Sequence, residues 1–253
     1  MQRILTFMGI TLAIAAILLI TKTMSSIGHA QSLQISAEDY ANGSKRFAAV
    51  SRKVSPALKA AFQEQGLEWG APIFIRAFKE ERTLELWVKK NEKFVHFRSY
   101  PIAAASGKLG PKRREGDRQV PEGFYFVKPS QMNPRSNFHL AFNIGYPNSY
   151  DKAHGRTGSF IMVHGSDVSI GCLAMTDEKI EEIYTLADAA HQGGQAFFRI
   201  HIFPFHLKGP ALAQQSAHPE HPFWKNLQTG YQFFEDQQRP PNVTVKNKYY
   251  HFE

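Results

Sequence analysis

Alternating apolar and polar residues predict a group of strands in the first half of the chain. The segment TLELWVKK at 83–90 alternates Leu, Leu and Val with polar residues, and it lies between PIFIRAF at 72–78 and KFVHFRSY at 93–100. Strict alternation is typical of a strand with one buried face, and the short polar gaps suit turns. The three segments are therefore predicted to form a β-meander, with PIAAAS at 101–106 extending the third strand.

Apolar runs predict further strands at 124–127, 138–144, 159–164 and 196–203. Before the last of these, residues 176–194 carry one apolar stripe at helical spacing, made of Ile180, Ile183, Tyr184, Ala187 and Ala190. Thr176 or Asp177 is available as the helix cap, and a pair of glycines ends the pattern. The predicted fold class is therefore mainly β with flanking helices.

The remaining segments set the predicted domain boundaries. Residues 31–70 read as a polar lead-in with one short helix at 56–65, because Ser55 suits a cap and Pro56 suits a first helical turn. Residues 71–208 contain the predicted strands and the long helix, and form the main domain. Residues 209–253 are rich in proline, glutamine and aromatic residues, and we expect them to pack on that domain.

A long basic loop, GKLGPKRREGDRQVPEG, interrupts the strands at 107–123. Its four glycines and two prolines disfavour regular secondary structure. Loops of this length inside a compact domain are often functional, and the alternative is a solvated surface loop. Acidic Glu115 and Asp117 accompany a larger set of basic residues, namely Lys108, Lys112, Arg113, Arg114 and Arg118.

The N-terminus has the composition of an export segment. Arg3 precedes an apolar run at 4–20, and a polar stretch follows that ends in Gly28-His29-Ala30. This pattern predicts a signal peptide cleaved after Ala30. Because the run is also near the minimum length for crossing a bilayer, an uncleaved inner-membrane anchor within residues 1–30 is the alternative. In both cases we expect the rest of the chain in the periplasm or cell envelope.

The charge balance and the cysteine count narrow the choice of partners. The net charge of +8 favours an anionic partner, or serves solubility alone. Nucleic acid is not expected for an exported chain without a stacking or groove-binding motif. No metal or other cofactor is predicted, because the pairs His201/His206 and His218/His221 lack helix-face spacing with a carboxylate. The single cysteine, Cys172, excludes an internal disulfide.

The segment VHGSDVSIGCLAM at 163–175 holds the candidate chemistry. His164 ends a predicted strand, and Cys172 follows in a tight turn just before the long helix. A cysteine nucleophile needs a base, donors for the developing oxyanion and access for substrate. His164 would supply the base, and the backbone N–H groups of Gly171 and Cys172 would supply the donors. The alternative is that Cys172 is a small buried hydrophobic residue, as free cysteines commonly are.

The pattern H-G-x-x-x-S-x-G-C resembles the signature of the L,D-transpeptidase catalytic domain, or YkuD, family. Further segments are similar to the YafK/DpaA-like branch of that family: FKEERTLELWV, SGKLGPKRREGDRQVPEGFY, NIGYPNSYDKAHG, HIFPFHL and GYQFFEDQQRPPNVTV. The resemblance covers roughly residues 72–245. It implies the family's β-sandwich with a helix after the catalytic cysteine, and it implies release of murein lipoprotein from peptidoglycan as the branch activity.

The resemblance also implies roles for individual residues. Cys172 matches the nucleophile, His164 matches a base oriented by a backbone carbonyl, and Gly171 and Cys172 match the oxyanion donors. Two positions depart from the family: Ile170 replaces the histidine of the signature, and Leu173-Ala174-Met175 follows where an arginine is usual. The predicted substrate-binding residues, of which the arginines are candidates to replace the missing cation, are Ser169, Gly165, Tyr146, Arg113, Arg114 and Arg156.

These observations lead to a hypothesis of a cysteine enzyme that acts on peptidoglycan stem peptides through a thioester at meso-diaminopimelate. The favoured version hydrolyses the amide between peptidoglycan and a covalently attached envelope protein. One alternative is an L,D-transpeptidase, in which an amine replaces water and forms cross-links or protein attachments. Another alternative is a non-catalytic peptidoglycan-binding module that uses the basic loop.

Overall fold

The computed structural model describes residues 37–253, with side chains from Gly43 onward. The predicted signal peptide or anchor at 1–30, with its apolar run at 4–20, lies outside these residues. None of the helices found between residues 37 and 253 is long and apolar enough to cross a membrane.

Two five-stranded sheets form the centre of the described part of the chain and helices flank them, which confirms the predicted mainly β fold with flanking helices. Numbered in chain order, the strands of residues 37–253 are β1 (Ile73–Phe78), β2 (Thr83–Lys90), β3 (Lys93–Pro101), β4 (Ala104–Ala105), β5 (Gly123–Val127), β6 (Met132–Asn133), β7 (Ala141–Asn143), β8 (Met162–His164), β9 (Leu173–Ala174), β10 (Phe198–Phe203), β11 (Val243–Lys246) and β12 (Tyr249–Phe252). The α-helices that flank them are α1 (Ala37–Glu64), α2 (Ser149–Ala153), α3 (Asp177–Gln192), α4 (Gly209–Gln214) and α5 (His221–Gln237).

The strands form two five-stranded sheets and one hairpin. The first sheet has the order β3-β2-β1-β10-β5 and contains the predicted meander β1–β3. The second has the order β4-β9-β8-β7-β6, in which β8 and β9 run parallel. The two sheets share one apolar core, where the rings of Phe142 on β7 and Phe198 on β10 lie 5.4 Å apart. The architecture is therefore the predicted sandwich, with the hairpin β11–β12 added by the C-terminal segment.

Two predicted strands are shorter in the structure, and one predicted extension was wrong. Strands β7 and β8 occupy only the last part of the predicted ranges 138–144 and 159–164. The segment 101–106 does not extend the third strand, because the chain leaves the first sheet after Pro101. The N–H of Ala103 then donates to the Ala174 carbonyl (2.8 Å), and β4 pairs with β9 in the second sheet.

The first helix begins much earlier than predicted. Helix α1 starts at Ala37, so Pro56 lies inside the helix rather than in its first turn. A proline in a helix interior removes a hydrogen bond and costs about 3 kcal/mol. Packing offsets this cost, because one stripe of the helix reaches the sandwich core and consists of Phe47, Val50, Val54, Leu58, Ala61 and Phe62. The helical spacing of Leu58, Ala61 and Phe62 was part of the prediction, whereas its continuation before Pro56 through Phe47, Val50 and Val54 was missed.

The predicted long helix forms as α3 and buries Ile180, Ile183 and Ala187 in the sandwich core. The C-terminal segment covers the outer face of the first sheet, which is the face turned away from that core. There the ring of Phe234 on α5 lies 4.8 Å from Phe74 on β1. The ring of Tyr250 on β12 lies 4.8 Å from Phe124 on β5. Residues 41–253 form one compact unit.

A buried ion pair fastens the basic loop to this framework. Lys79, which follows β1, lies with its Nζ 2.9 Å from Oε1 of Glu122, which precedes β5, and both side chains are at most 5% exposed. The Lys79 ammonium also donates to the carbonyls of Gly110 and Val120. Glu122 accepts from the N–H of Gly110 and from the indole N–H of Trp224 on α5. The two ends of the loop are thereby joined to the first sheet and to the C-terminal segment.

We predict that Glu122→Leu lowers the free energy of unfolding by about 3–5 kcal/mol, because it leaves the Lys79 ammonium buried without its counter-charge. Urea denaturation followed by circular dichroism measures the effect. The double variant Lys79→Met/Glu122→Leu should recover most of the loss, since no buried charge remains. The exposed pair of Lys89 and Glu92 supplies the control, and an equal loss from Glu92→Leu would contradict the prediction.

Candidate active site

The second sheet brings His164 and Cys172 to the same place. His164 ends β8, and Cys172 directly precedes β9. The parallel register pairs Val163 with Leu173, and the N–H of Met162 donates to the Cys172 sulfur (3.4 Å). Because side chains alternate along strands, His164 and Cys172 project from the same face of the sheet. Strand spacing and the two-residue offset put their Cα atoms about 8 Å apart, which imidazole and thiol side chains can span.

A backbone carbonyl holds the ring of His164 in one orientation. Its Nδ1 lies 2.6 Å from the carbonyl oxygen of Gly165, and the residue is 3% exposed. A carbonyl oxygen only accepts, so Nδ1 carries the proton and the neutral ring keeps its lone pair on Nε2. Burial lowers the pKa of His164, and the hydrogen bond to Gly165 opposes that effect. The ring is therefore a neutral base at pH 7, with Nε2 as the accepting atom.

The Cys172 thiol is partly buried and lies among backbone groups. It accepts from the N–H of Met162 and donates to the carbonyl of Phe160 at 3.8 Å. Burial raises the pKa of the thiol, while the Met162 N–H and the charge of Lys112 each lower it by a smaller amount. The resting site therefore contains a neutral thiol and a neutral imidazole, not a thiolate–imidazolium pair.

Two serine hydroxyls close the turn that holds the thiol. The Ser169 hydroxyl accepts from the N–H of Cys172 (3.0 Å) and donates to the carbonyl of the same residue (2.6 Å). The Ser106 hydroxyl accepts from the N–H of Gly171 (2.6 Å) and donates to the Arg118 carbonyl (2.8 Å). Gly171 has a φ of +92°, a conformation that favours glycine. Each of the two predicted oxyanion N–H groups is thus bonded to a serine hydroxyl in the resting structure.

The basic loop 107–123 closes over this turn and is folded on itself. A methyl group placed on Gly171 would lie 3.6 Å from the Gln119 carbonyl oxygen, so the loop backbone is directly above the turn. Inside the loop, the Asp117 carboxylate gathers four donors within 3.1 Å: Nζ of Lys112 and the backbone N–H groups of Arg113, Arg114 and Gln119. The loop therefore has a defined structure that its own hydrogen bonds maintain.

Lys112 is the loop cation whose charge acts on the thiol. It is 4% exposed, and its Nζ donates to Asp117 (2.6 Å) and to the Arg114 carbonyl (2.8 Å). The ammonium lies 6.0 Å from the ring centroid of Tyr146, and the Tyr146 hydroxyl donates to the Lys112 carbonyl (3.3 Å). Tyr146, predicted to bind substrate, is itself buried and packs beside Lys112 under the loop.

The three arginines predicted to replace the missing cation occupy different environments. Arg113 is exposed on the loop and pairs with Glu220. Arg114 is also exposed. Arg156 is buried and pairs with Asp151 at 2.8 Å, so its charge is neutralised within the protein. None of the three supplies the charge that lowers the pKa of Cys172, which comes from Lys112.

Sequence reasoning missed Ser106 and Lys112 as site residues. No motif marks Ser106, because its contact with Gly171 joins positions that are 65 residues apart. In the sequence, Lys112 is one of several basic residues in the loop, and only its burial in the structure distinguishes it from the others. Gly165, predicted to bind substrate, has a packing reason to be glycine: a methyl group there would lie 2.5 Å from the Asp177 carboxylate.

Nothing in residues 37–253 gathers three or more His, Cys, Asp or Glu side chains in a way that could hold a metal ion. His201 instead packs between the rings of Phe74 and Phe124, with centroids 4.7 Å away in each case. The thiol of Cys172 and the imidazole of His164, which share one face of the second sheet, are suited to nucleophilic catalysis in which the imidazole activates the thiol.

Comparison with known proteins agrees with this geometry. Residues 72–202 match the family profile described as "YkuD: L,D-transpeptidase catalytic domain". The chain is 44% identical over 181 residues to the Escherichia coli K12 protein named "Putative L,D-transpeptidase YafK", an alignment that covers 72% of this chain and 74% of the relative.

Two solved structures are also similar. The helical cell shape determining protein Pgp2 from Campylobacter jejuni aligns with a TM-score of 0.44 and 17% identity, over 71% of this chain and 75% of that one. Bd1075 from Bdellovibrio bacteriovorus aligns with a TM-score of 0.37 and 28% identity, over 53% of this chain and 49% of that one. The matched range 72–202 includes His164, Gly171 and Cys172, and this chain belongs to the YkuD family of L,D-transpeptidase catalytic domains.

Proposed function

We propose that this protein is a cysteine enzyme that hydrolyses the amide between meso-diaminopimelate in peptidoglycan and a covalently attached protein. The observation that carries the catalytic part is the hydrogen bond between His164 Nδ1 and the Gly165 carbonyl. It leaves Nε2 as the accepting atom on the sheet face that also carries Cys172. Peptidoglycan as the substrate is supported by membership of the L,D-transpeptidase family.

The proposed reaction has two stages. His164 Nε2 takes the thiol proton as the Cys172 sulfur attacks the amide carbonyl carbon. The tetrahedral intermediate collapses when the imidazolium gives that proton to the leaving amine, and the acyl group remains on Cys172 as a thioester. Water then attacks the thioester and gives a proton to Nε2. Collapse releases a carboxylic acid, and the thiolate recovers its proton from His164.

The oxyanion of both stages would be stabilised by the N–H groups of Gly171 and Cys172, which lie side by side in the turn. In the resting structure the hydroxyls of Ser106 and Ser169 accept from them. The substrate oxygen would replace these hydroxyls as the acceptor. Both hydroxyls would therefore have to move away from these N–H groups when substrate binds.

A rim of exposed apolar side chains around the thiol favours a protein as one part of the substrate. Phe160, whose carbonyl accepts from the thiol, is 76% exposed, and Ile170 and Val168 are 75% and 58% exposed. Phe138, whose ring lies 4.8 Å from that of His164, is 45% exposed. Exposed apolar residues grouped beside a site commonly mark an interaction surface. In a cross-linking reaction both substrates would be stem peptides, which are rich in charge and would make little contact with this apolar rim.

The second candidate function is formation of cross-links, with an amine of another stem peptide in place of water. The observation that favours it is the group of exposed cations on the loop above the turn: Arg113, Arg114 and Arg118. Guanidinium groups bind carboxylates in two-point contacts, and an acceptor stem peptide carries such carboxylates. The chemistry at Cys172 is the same for both functions, so the products distinguish them.

We predict that incubation of the enzyme with purified sacculi that carry bound protein releases this protein, and that Cys172→Ala abolishes release. His164→Ala should slow release by about 100-fold to 10,000-fold, because the general base is lost. His96→Ala, in an exposed histidine of β3, is the matched control. Mass spectrometry of the soluble and sacculus fractions measures the products. Equal release by Cys172→Ala and by the unsubstituted enzyme would refute the proposal. New diaminopimelate–diaminopimelate cross-links without protein release would instead support the second candidate function, cross-link formation.

The neutral thiol and neutral imidazole of the resting site predict how the reactivity of Cys172 depends on pH. Alkylation of Cys172 by iodoacetamide should accelerate continuously through about pH 8.5, because the buried thiol has a raised pKa and ionises only at higher pH. Lys112→Met should shift this curve to still higher pH, since the lysine charge lowers the thiol pKa. Lys108→Met removes an exposed lysine of the same loop and is the control. A plateau of the alkylation rate near neutral pH would contradict the neutral pair.

The apolar rim predicts that a substitution in it slows the reaction with a protein substrate but not the reaction of Cys172 with a small reagent. Phe160→Ser should reduce release of the attached protein several-fold, because apolar contact with the protein is lost. It should leave alkylation of Cys172 by iodoacetamide unchanged, because the reagent is too small to need the rim. Tyr249→Ser, at an aromatic residue that is 60% exposed on β12, is the control. An equal decrease in both reactions would show that Phe160 supports the thiol itself and not the substrate.

A further inference from the structure

A cavity lies on the other side of the first sheet from Cys172. Its volume is about 410 Å³, and it is bounded by β5, β10 and the hairpin β11–β12. Ile200 on β10 points into the sandwich core, whereas Phe124, Phe126 and Arg199 alternate to the outer face and line the cavity, which Tyr125 also borders. No residue from the turn at Cys172 contributes to it. The cavity is therefore separate from the candidate active site.

Arg199 brings an uncompensated positive charge into this cavity. Its guanidinium donates to the Asn242 amide oxygen (2.7 Å) and lies 5.2 Å from the ring centroid of Phe197. Within residues 43–253 no carboxylate pairs with it, and partial burial lowers the pKa of Arg199. Four buried cations elsewhere in the chain each have a carboxylate partner, in the pairs Arg76–Glu85, Lys79–Glu122, Lys112–Asp117 and Arg156–Asp151.

The rest of the lining has the same sign of charge. Lys152 is a second cation at the cavity, and no aspartate or glutamate lines it. His201, which is 1% exposed, also borders the cavity, and neither of its ring nitrogens has a hydrogen-bond partner. Burial, together with the charges of Arg199 and Arg76, keeps the pKa of His201 low, so this ring adds no charge. A half-buried cation without a counter-ion is costly, and binding an anion would remove that cost.

An aromatic surface lies next to the guanidinium. The rings of Phe126 and Phe197 are 5.5 Å apart and are 47% and 37% exposed. Val243 and Val245 of the hairpin face the same cavity. Pockets that combine such apolar walls with a few placed polar groups are typical of sites for small organic ligands. The walls therefore suit an anion that carries an apolar group, and not a bare inorganic ion.

Strand addition at this edge is disfavoured, although β5 is the last strand of its sheet. The outward carbonyl of Phe124 accepts from the Asn148 amide (2.9 Å), and that of Phe126 is covered by the Gln131 amide (3.4 Å). Covered edges do not offer the row of free backbone groups that an added strand requires. A ligand would therefore be recognised through its side chain and its charged end.

We propose that this cavity binds the carboxylate end of a peptide, with the carboxylate on Arg199 and the adjacent apolar side chain against Phe126 and Phe197. The inference goes beyond the proposed function and does not depend on the reaction at Cys172. Two sources offer this chemistry: the stem peptides of peptidoglycan, and the chain end of a protein.

The test is isothermal titration of the full chain with N-acetyl-alanyl-phenylalanine and with its C-terminal amide. The acid should bind, and the amide should bind at least about tenfold more weakly, because a charge-assisted hydrogen bond is lost. Arg199→Gln should weaken binding of the acid by about tenfold to 100-fold and abolish the preference for acid over amide. Phe126→Ser should weaken both ligands and preserve the preference.

The matched control is Arg239→Gln, because Arg239 is exposed and lies over the ring of Phe233 at 5.5 Å, outside the cavity. It should leave binding unchanged. Equal affinity for acid and amide, absence of binding, or equal losses from Arg239→Gln and Arg199→Gln would each overturn the proposal. Circular dichroism verifies that the variants are folded.

A parallel titration with the stem tripeptide L-alanyl-D-glutamyl-meso-diaminopimelate distinguishes the two sources of the ligand. If the tripeptide binds more tightly than the dipeptide, the cavity is assigned to peptidoglycan. If it binds more weakly, the cavity is assigned to the chain end of a protein.

Discussion

The buried ion pair between Lys79 and Glu122 is the interaction on which the arrangement of the candidate active site depends. Removing two charges from water is costly, and the cost is offset only when every polar atom finds a partner. Here the partners come from Gly110 and Val120 at the two ends of the basic loop and from Trp224 on α5. Burial lowers the pKa of Lys79, and the negative charge of Glu122 opposes this effect. The C-terminal segment therefore contributes, through Trp224, to the ion pair that fixes the loop above the turn at Cys172.

The position of the loop gives the candidate site a positive charge although the arginine expected after the cysteine is absent. The position of that arginine is occupied by Ala174, which is completely buried in β9. The positive charge near the thiol comes instead from Lys112, which Asp117 holds under the loop. Because the folded loop fixes Lys112, its charge is in place before substrate binds. An arginine side chain beside the cysteine would instead be free to contact substrate directly.

Much of the fold was predictable because local pattern and burial agree. The alternation at 83–90 matches β2 residue for residue, and the stripe at 176–194 matches α3 closely. The early start of α1 was missed because Pro56 was read as a first-turn signal, although tertiary packing of the stripe from Phe47 to Phe62 overrides it. His164 and Cys172 could be paired from sequence, since both adjoin strands in one short segment. Ser106 could not, because its contact with Gly171 depends on how two distant segments cross.

The pKa values of the Cys172 thiol and the His164 imidazole are shifted in opposite directions, which affects the order of steps in the proposed reaction. Burial raises the pKa of Cys172 and lowers that of His164, so transfer of the thiol proton before attack is unfavourable. In the proposed reaction, proton transfer would therefore accompany attack on the carbonyl, when the oxyanion gains the N–H groups of Gly171 and Cys172. The same burial makes the imidazolium a stronger acid, which helps it to protonate the departing amine. In the proposed reaction, the environment of His164 would thus make the first proton transfer harder and the second easier. Cleavage of an amide, whose amine is a poor leaving group, would benefit from that balance.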